Sequence, residues 1–295
     1  MSTRRNQRPI FLGCFSRGGS NILWNLFLSH PQVCSPLRET LEIFRLDWRA
    51  PTLDGFRLAL RTGRRVFDQW NLSPRKPLGP AAARQVDEVL YREKLRTLDD
   101  EYMSWRDAER RYSAEEIAAT RLCAKNNNGL VFLTELWLDL YPQATFFALL
   151  RHPVALYESH KRRRITSSPR QFTDFYNRIA GRMLDDAEGY DCCHLVRFED
   201  LVQQPLESMQ RLYAAADLDP SALQQLRFKT KPHYRRDGSH GSDHPPGTHL
   251  WLDFDEVPGF LVPDINRRQA SQLEDAERRW VEEATAEVRE RAGYE

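Results

Sequence analysis

The stretch from Pro9 to Val33 constrains the fold of this chain more than any other. An apolar run, Ile10 to Phe15, passes through small residues at Ser16 to Asn21 into a helix-period segment from Ile22 to Leu28. Ser29-His30-Pro31 closes that segment. A strand feeding a glycine-containing turn and then a helix N-terminus is an anion trap. Backbone N–H groups converge there, the helix dipole is positive, and glycine lets a ligand approach the chain. Arg17 adds a fixed positive charge, and Ser20 and Asn21 add hydroxyl and amide donors. Arg17, Gly18, Gly19, Ser20 and Asn21 are therefore expected to hold a phosphate-like or sulfate-like group. An ATP/GTP loop needs Gly, four residues and then Gly-Lys-Ser/Thr, and no lysine follows Gly19.

The alternation of strand and helix continues along the chain. Gln32 to Ser35 reads as a short strand, and Arg121 to Ala124 as another, ending at Lys125-Asn126-Asn127-Asn128-Gly129. Helical spacing follows from Leu130 to Leu140. Thr145 to Leu150 is continuously apolar, the mark of a strand buried on both faces. Arg151-His152-Pro153 ends it, and a helix resumes from Val154 to Arg164, with Lys161 to Arg164 as its solvated end. Gln171 to Glu188 and Leu206 to Ala216 read as helices around a strand at His194 to Phe198, and Gln269 to Arg291 as one amphipathic closing helix. Its stripe is Leu273, Ala276, Trp280, Ala284 and Val288. This alternation predicts an α/β fold, a central parallel sheet flanked by helices with right-handed crossovers. Ligands bind such sheets at the carboxyl ends of the strands, which the loops of Arg17, Lys125 and Arg151 all leave. Residues 44–119 break the pattern, with many arginines, scattered Trp and Tyr, and an interruption near Asn71 to Pro80. They are expected as a helical insertion over the sheet, a substrate cap within a single domain spanning 1–295. Met1 to Arg8 reads as a mobile polar tail.

Composition excludes several function classes. With 43 basic and 42 acidic residues, the chain lacks the excess positive charge of a general nucleic-acid or membrane-surface binder. Five cysteines, an odd number without metal-type spacing, suit a reducing compartment. Cys192-Cys193-His194 is better explained as a strand start than as a metal site, because adjacent ligands fit poorly. Ile10 to Phe15 is too short for a signal-peptide core, and no later run approaches a membrane span. A cytoplasmic protein is expected.

Two motifs carry a family resemblance. Ser16, Arg17, Gly19 and Ser20, followed by Trp24, Leu26 and His30-Pro31, resemble the 5′-phosphosulfate loop of sulfotransferases that use 3′-phosphoadenosine 5′-phosphosulfate (PAPS), with Asn21 where threonine is usual. Leu149 to Pro153, with Ser159 eight residues after Arg151, resembles the family's 3′-phosphate element. An arginine at a strand tip grips phosphate bidentately; read alone, the same residues also suit a strand cap and a wet helix face. Val196 to Val202 resembles a scaffold segment of the family, with Phe198 where tyrosine is common and Glu199 orienting nearby loops. Arg235, Arg236 and Gly238 fall where these enzymes carry a basic, glycine-containing loop over the nucleotide; an ordinary polar loop accounts for them equally well.

The resemblance implies a P-loop-type three-layer sandwich and transfer of a sulfuryl group from PAPS to a hydroxyl of a small-molecule or natural-product acceptor. PAP is the product, and neither metal nor nucleic acid takes part. Sulfuryl transfer is an in-line displacement, so the protein positions the reactants, stabilises charge on the departing oxygen and takes up a proton. Glu39 stands where tyrosylprotein and carbohydrate sulfotransferases, by resemblance, place their base. Beside Arg17 its carboxylate would stay ionised. Lys125 resembles the lysine beside the leaving oxygen, and Arg17 completes the catalytic set. The residues alone leave Glu39 open between a base and a surface Arg38–Glu39–Glu42 cluster, and His30 and His233 are the other candidate bases. Two rival functions remain at this level. One is a nucleotide kinase or P-loop NTPase with an acidic strand at Leu250 to Glu256; the other is a non-catalytic nucleotide-binding relative, suggested by Asn21.

Overall fold

The computed structural model describes residues 4–46, 51–166, 168–230, 233–234, 240–241, 245 and 247–294. Five parallel strands form the central sheet: β1 (Ile10–Cys14), β2 (Val33–Cys34), β3 (Arg121–Asn127), β4 (Thr145–Leu150) and β5 (Cys193–Arg197). Their order is β2-β3-β1-β4-β5, which puts the first strand in the middle. The expected parallel sheet is present, and β4 has the predicted bounds. Strand β3 runs three residues further than its apolar stretch, because Leu12, Gly13 and Cys14 of β1 continue its ladder with Lys125, Asn126 and Asn127. Lys125 is therefore a strand residue and not a loop residue.

Helices cover both faces. The period of two along β1 sends Ile10, Leu12 and Cys14 one way and Phe11 the other. On the first face lie α1 (Ser20–Ser29), α9 (Phe198–Gln203) and α10 (Pro205–Ala215), through Leu23, Phe27, Leu201 and Tyr213. On the other face Phe11 stacks on Trp137 at 4.4 Å, from α6 (Thr134–Leu140). The segment after β2 packs into the same cluster through α3 (Leu53–Thr62) and α4 (Pro80–Leu95), using Leu58, Val86 and Leu90. It also holds the short helices α2 (Thr40–Ile43) and α5 (Ala114–Ala119). Beside them, Phe15 and Leu150 meet α7 (Pro153–Arg162) and α8 (Pro169–Gly189).

The C-terminal part departs from the expectation. An antiparallel pair, β6 (Leu226–Lys229) with β9 (His249–Leu252), encloses a two-residue ladder of β7 (His233–Tyr234) and β8 (His240–Gly241). The acidic run at Leu250 to Glu256 thus begins in an antiparallel ladder outside the parallel sheet, not in a strand beside β1. After α11 (Val257–Phe260), the closing helix is three: α12 (Ile265–Ala270), α13 (Asp275–Ala284) and α14 (Ala286–Arg291). Glu274 and Glu277 form a capping box that starts α13 afresh, and Thr285, whose hydroxyl donates to the Val281 carbonyl, separates α13 from α14. The phase shifts accordingly, so that Val281 is buried and Trp280, expected inside, is 49% exposed. Among the described residues no helix is long and apolar enough to cross a membrane.

Arg5 and Asn6 are tied down, against the expectation of a mobile tail. Buried Asp87 on α4 accepts the backbone N–H groups of Arg5 (2.7 Å) and Asn6 (3.1 Å), the Asn6 amide (2.9 Å) and the Tyr141 hydroxyl (2.9 Å). Truncating this carboxylate strands several buried donors at once. Asp87→Ala should cost roughly 3 kcal/mol in denaturant unfolding and remove the hydrogen-exchange protection of the Asn6 amide. A loss below about 0.5 kcal/mol, the scale of an indifferent surface change, would show the tie to be incidental.

Candidate active site

The loop after β1 is folded by its glycines. The Gly18 N–H closes a turn on the Phe15 carbonyl at 3.0 Å, and Arg17 (φ 69°) and Gly19 (φ 93°) both take left-handed backbone conformations. A Cβ on Gly19 would lie 2.1 Å from Cδ2 of Phe198, so glycine is required there by conformation and by space. Asn128 grips Ser16 twice: its Oδ1 accepts the Ser16 N–H and its Nδ2 donates to the Ser16 hydroxyl, both at 2.9 Å. His160 Nε2 completes the support by donating to the Ser16 carbonyl at 2.8 Å. Helix α1 starts at Ser20 with no side-chain cap and no acidic residue in its first turn, which leaves a positive N-terminus facing outward from the loop.

A cavity of about 220 Å³ opens at this helix end. Arg17, Gly19, Ser20 and Asn21 line one side of it, and Arg151 and Ser159 another, so the two arginine elements converge on a single space. Gly18 shapes the turn behind them. Arg151 is buried and fully directed. Nη1 donates to the Arg17 carbonyl at 3.0 Å, Nε and Nη2 donate to Asn266 Oδ1 at 2.9 and 2.7 Å, and Nη2 also reaches Gln269. The guanidinium lies 4.3 Å from the Phe198 ring centroid. These hydrogen-bonding partners are neutral, so burial pushes Arg151 down to about 10, with Glu199 the main opposing influence. Glu199 itself accepts from the His152 N–H (3.0 Å), from Asn266 and from Tyr294 (2.8 Å), which ties the β4 exit to the C-terminal helices.

Among the described residues, the side chains that line the cavity include cations and no carboxylate, with Glu158 pairing Arg162 from behind at 2.7 Å. Burial, and then Arg163 and Arg162, lower the affinity of Arg17 for its proton. Arg162, expected on a solvated helix end, lines the cavity, as does Lys229 of β6. Cations pressed together in this way are relieved by a bound anion.

Next to the cavity stands an ion pair. Lys125, 5% exposed, places Nζ 2.6 Å from Glu39 Oε1 and 4.8 Å from the Trp24 ring centroid. The cation against Glu39 is therefore Lys125, whereas Arg17 faces the cavity. Asn127 Nδ2 donates to the other carboxylate oxygen, and Asn127 Oδ1 accepts from the Cys14 thiol at 2.8 Å. Burial pushes that thiol up to about 12, which keeps it protonated as a donor. Glu39 also begins α2, its N–H donating to Glu42 Oε2 at 3.2 Å. Asn21 joins the two parts: it lines the cavity and its Oδ1 accepts from Lys125 Nζ at 3.1 Å.

Of the other candidates, His30 is fully engaged as a fold element. Its Nε2 meets the Asp219 carbonyl at 2.9 Å and its Nδ1 accepts from the Gln32 N–H at 3.2 Å, so neither nitrogen is available as a base. Arg235, Arg236, Gly238 and the His233 side chain lie outside the described residues. Sequence reasoning missed Asn127, Asn128, Asn266 and Gln269. The Asn126-Asn127-Asn128 run at a strand tip was a usable signal, since amides there meet neighbouring loops; Asn266 and Gln269 carried none.

A sequence model described as "Sulfotransferase family" matches residues 9–222. Among curated proteins, no sequence matches the chain. Among solved structures, the sulfotransferase domain from the Synechococcus PCC 7002 olefin synthase superposes with a TM-score of 0.56 at 18% identity, covering 100% of this chain and 98% of that one. The sulfotransferase domain from the curacin biosynthetic pathway gives 0.54 at 15% identity, covering 98% and 99%. At such identities the likeness is one of fold.

The Gly19–Phe198 contact yields a test of the loop. Gly19→Ala should destabilise the protein by about 2–4 kcal/mol, combining left-handed strain with overpacking. Phe198→Ala in the same chain should recover the overpacking part, seen as a favourable coupling in a double-mutant cycle followed by chemical denaturation. Strict additivity would mean that the ring does not limit position 19.

Proposed function

The chain belongs to the sulfotransferase family, and from that premise we propose that it transfers the sulfuryl group of PAPS to a hydroxyl of a small-molecule or natural-product acceptor, with Glu39 as general base. The observation that carries this reading is the convergence of Arg17 and Arg151 with Ser159 on one cavity, beside the Glu39–Lys125 pair. The residues present suit the donor: Arg17 and Arg151 on one cavity and a glycine turn at a helix N-terminus match a molecule with phosphate at both ends. The donor supplies an activated sulfuryl group; the chain's own groups do the rest.

Arg17, Gly18, Gly19, Ser20 and Asn21 hold the 5′ end, and Arg151 with Ser159 the 3′-phosphate. Arg235, Arg236 and Gly238 are proposed to close over the nucleotide. Lys125, held against Asn21 and Glu39, offsets charge on the departing oxygen, and Arg17 shares that load. Glu39 takes the acceptor's proton at a carboxylate oxygen that Asn127 and Lys125 keep in place. The half-open Glu39 side chain gives an incoming hydroxyl access. No metal is invoked in this scheme. Residues 44–119 are proposed as the cap that recognises the acceptor, within one domain. The two similar structures come from an olefin synthase and a curacin pathway, which supports a biosynthetic acceptor. All five cysteines are unpaired, which supports a cytoplasmic setting.

Incubation with labelled PAPS and a panel of phenolic, glycosidic and lipid alcohols tests the activity. Glu39→Gln should lower kcat by about 10²- to 10⁴-fold while PAP affinity, read by calorimetry, stays essentially unchanged. Full activity in that variant removes Glu39 from the base role. Arg151→Met should weaken PAP binding by about tenfold to a hundredfold, the scale of a lost charge-assisted hydrogen bond. Equal PAP affinity in Arg151→Met and the parent would contradict the 3′-phosphate assignment.

A further inference from the structure

We infer that α3, whose residues do not line the donor cavity, is a docking ridge for an anionic lipid surface on the outer face of the proposed cap. The helix has two apolar faces. Gly55 and Leu58 are buried inward, and Gly55 lets the helix press onto the chain before it, where a Cβ would come 2.5 Å from the Arg45 carbonyl oxygen. The opposite face carries Leu53, Phe56 and Leu60 at positions i, i+3 and i+7, exposed by 60%, 48% and 70%. Three large apolar side chains left in water on one ridge are far more than a solvated helix face needs.

Charge selects the partner. Between residues 51 and 85 the chain carries seven basic residues and two acidic ones, although its net charge is only +1. One of the two, Asp54, is already paired with Arg92 at 2.6 Å. Arg57 and Arg61 are exposed beside the apolar row, and Arg65 follows the helix end. Arg64 donates to the Pro77 carbonyl at 3.2 Å and also to that of Lys76, and Arg61 donates to the Ala81 carbonyl at 3.1 Å, which joins these loops into one basic surface. Between them Arg61, Arg64 and Lys76 line a shallow groove of about 470 Å³, wide enough for headgroup phosphates. Protruding Leu and Phe side chains beside arginines that pair with no carboxylate among the described residues are how an interfacial helix meets a bilayer: the apolar row enters the acyl boundary and the guanidinium groups stay with the phosphates. A folded protein partner would have to offer a groove shaped to this ridge, whereas a bilayer accepts it without complementarity. Ten helical residues supply one modest apolar signal and one basic signal, so the association is reversible and salt-sensitive.

Co-sedimentation of the full chain with vesicles of phosphatidylcholine, with and without phosphatidylglycerol, tests this. The parent should sediment with the phosphatidylglycerol vesicles at low salt, weakly with phosphatidylcholine alone, and lose binding as salt is raised. Phe56→Glu with Leu60→Glu, and separately Arg57→Glu with Arg65→Glu, should each lower the partition coefficient about tenfold or more. These side chains lie on the surface, so unchanged thermal unfolding and PAP binding would establish that the variants are folded. Failure of the parent to bind anionic vesicles, or binding by both double variants equal to the parent's, overturns the proposal and leaves the ridge to an acidic protein.

Discussion

The register of β1 governs where Arg17, Lys125 and Arg151 stand. Cys14 lies opposite Asn127 on one side and Leu149 on the other, so three parallel strands end at the same height. A strand tip is where a buried sheet gives way to loops, and three tips in line bring the loop of Arg17, the polar end of β3 and the Arg151 turn to one edge. Slipping β3 by one residue would reverse which face Lys125 and Asn127 present. Lys125 would then leave Asn21 and Glu39, and the thiol of Cys14 would lose its acceptor. The chemistry thus rests on a ladder of backbone hydrogen bonds that contains no chemical groups of its own.

Two kinds of electrostatics meet at that edge, and they are handled differently. At the cavity Arg151 is held by neutral groups: a carbonyl, two amides and an aromatic face. Such partners fix direction without cancelling charge, which leaves the field available to an anion. At Lys125 the opposite holds. A lysine this buried needs a counter-charge, and Glu39 supplies it at 2.6 Å while keeping a third of its side chain exposed. Desolvation falls mainly on the lysine, and the carboxylate stays within reach of solvent and substrate.

Much of this was legible because periodicity is a physical consequence of burial. The continuous apolar run from Thr145 to Leu150 gave its strand to the residue, and the loop of Ser16 to Asn21 was readable from its small residues alone. What escaped were features set by partners distant in sequence. Asp87 reads as an ordinary helix-surface acid until Asn6 and Tyr141 are brought to it by the fold. The stripe from Leu273 to Val288 was continuous in sequence, yet a capping box at Glu274 and the break at Thr285 rephased it. Lys125 was placed on a loop because polarity normally ends a strand, but Leu12 pairs with it and Gly13 and Cys14 carry the ladder on beyond the apolar stretch.

Asn21 shows how a departure from a family pattern is read through contacts. A threonine offers one short hydroxyl next to the backbone. An asparagine at the same position reaches further, and here its carbonyl oxygen accepts from Lys125 while the residue still borders the cavity. The lysine is thereby held between Glu39, Asn21 and the Trp24 face, three acceptors of quite different strength. The amide gives Lys125 a second anchor on the cavity side, so the buried ammonium does not depend on Glu39 alone. On these contacts Asn21 is an integral part of the Lys125 environment and of the cavity wall.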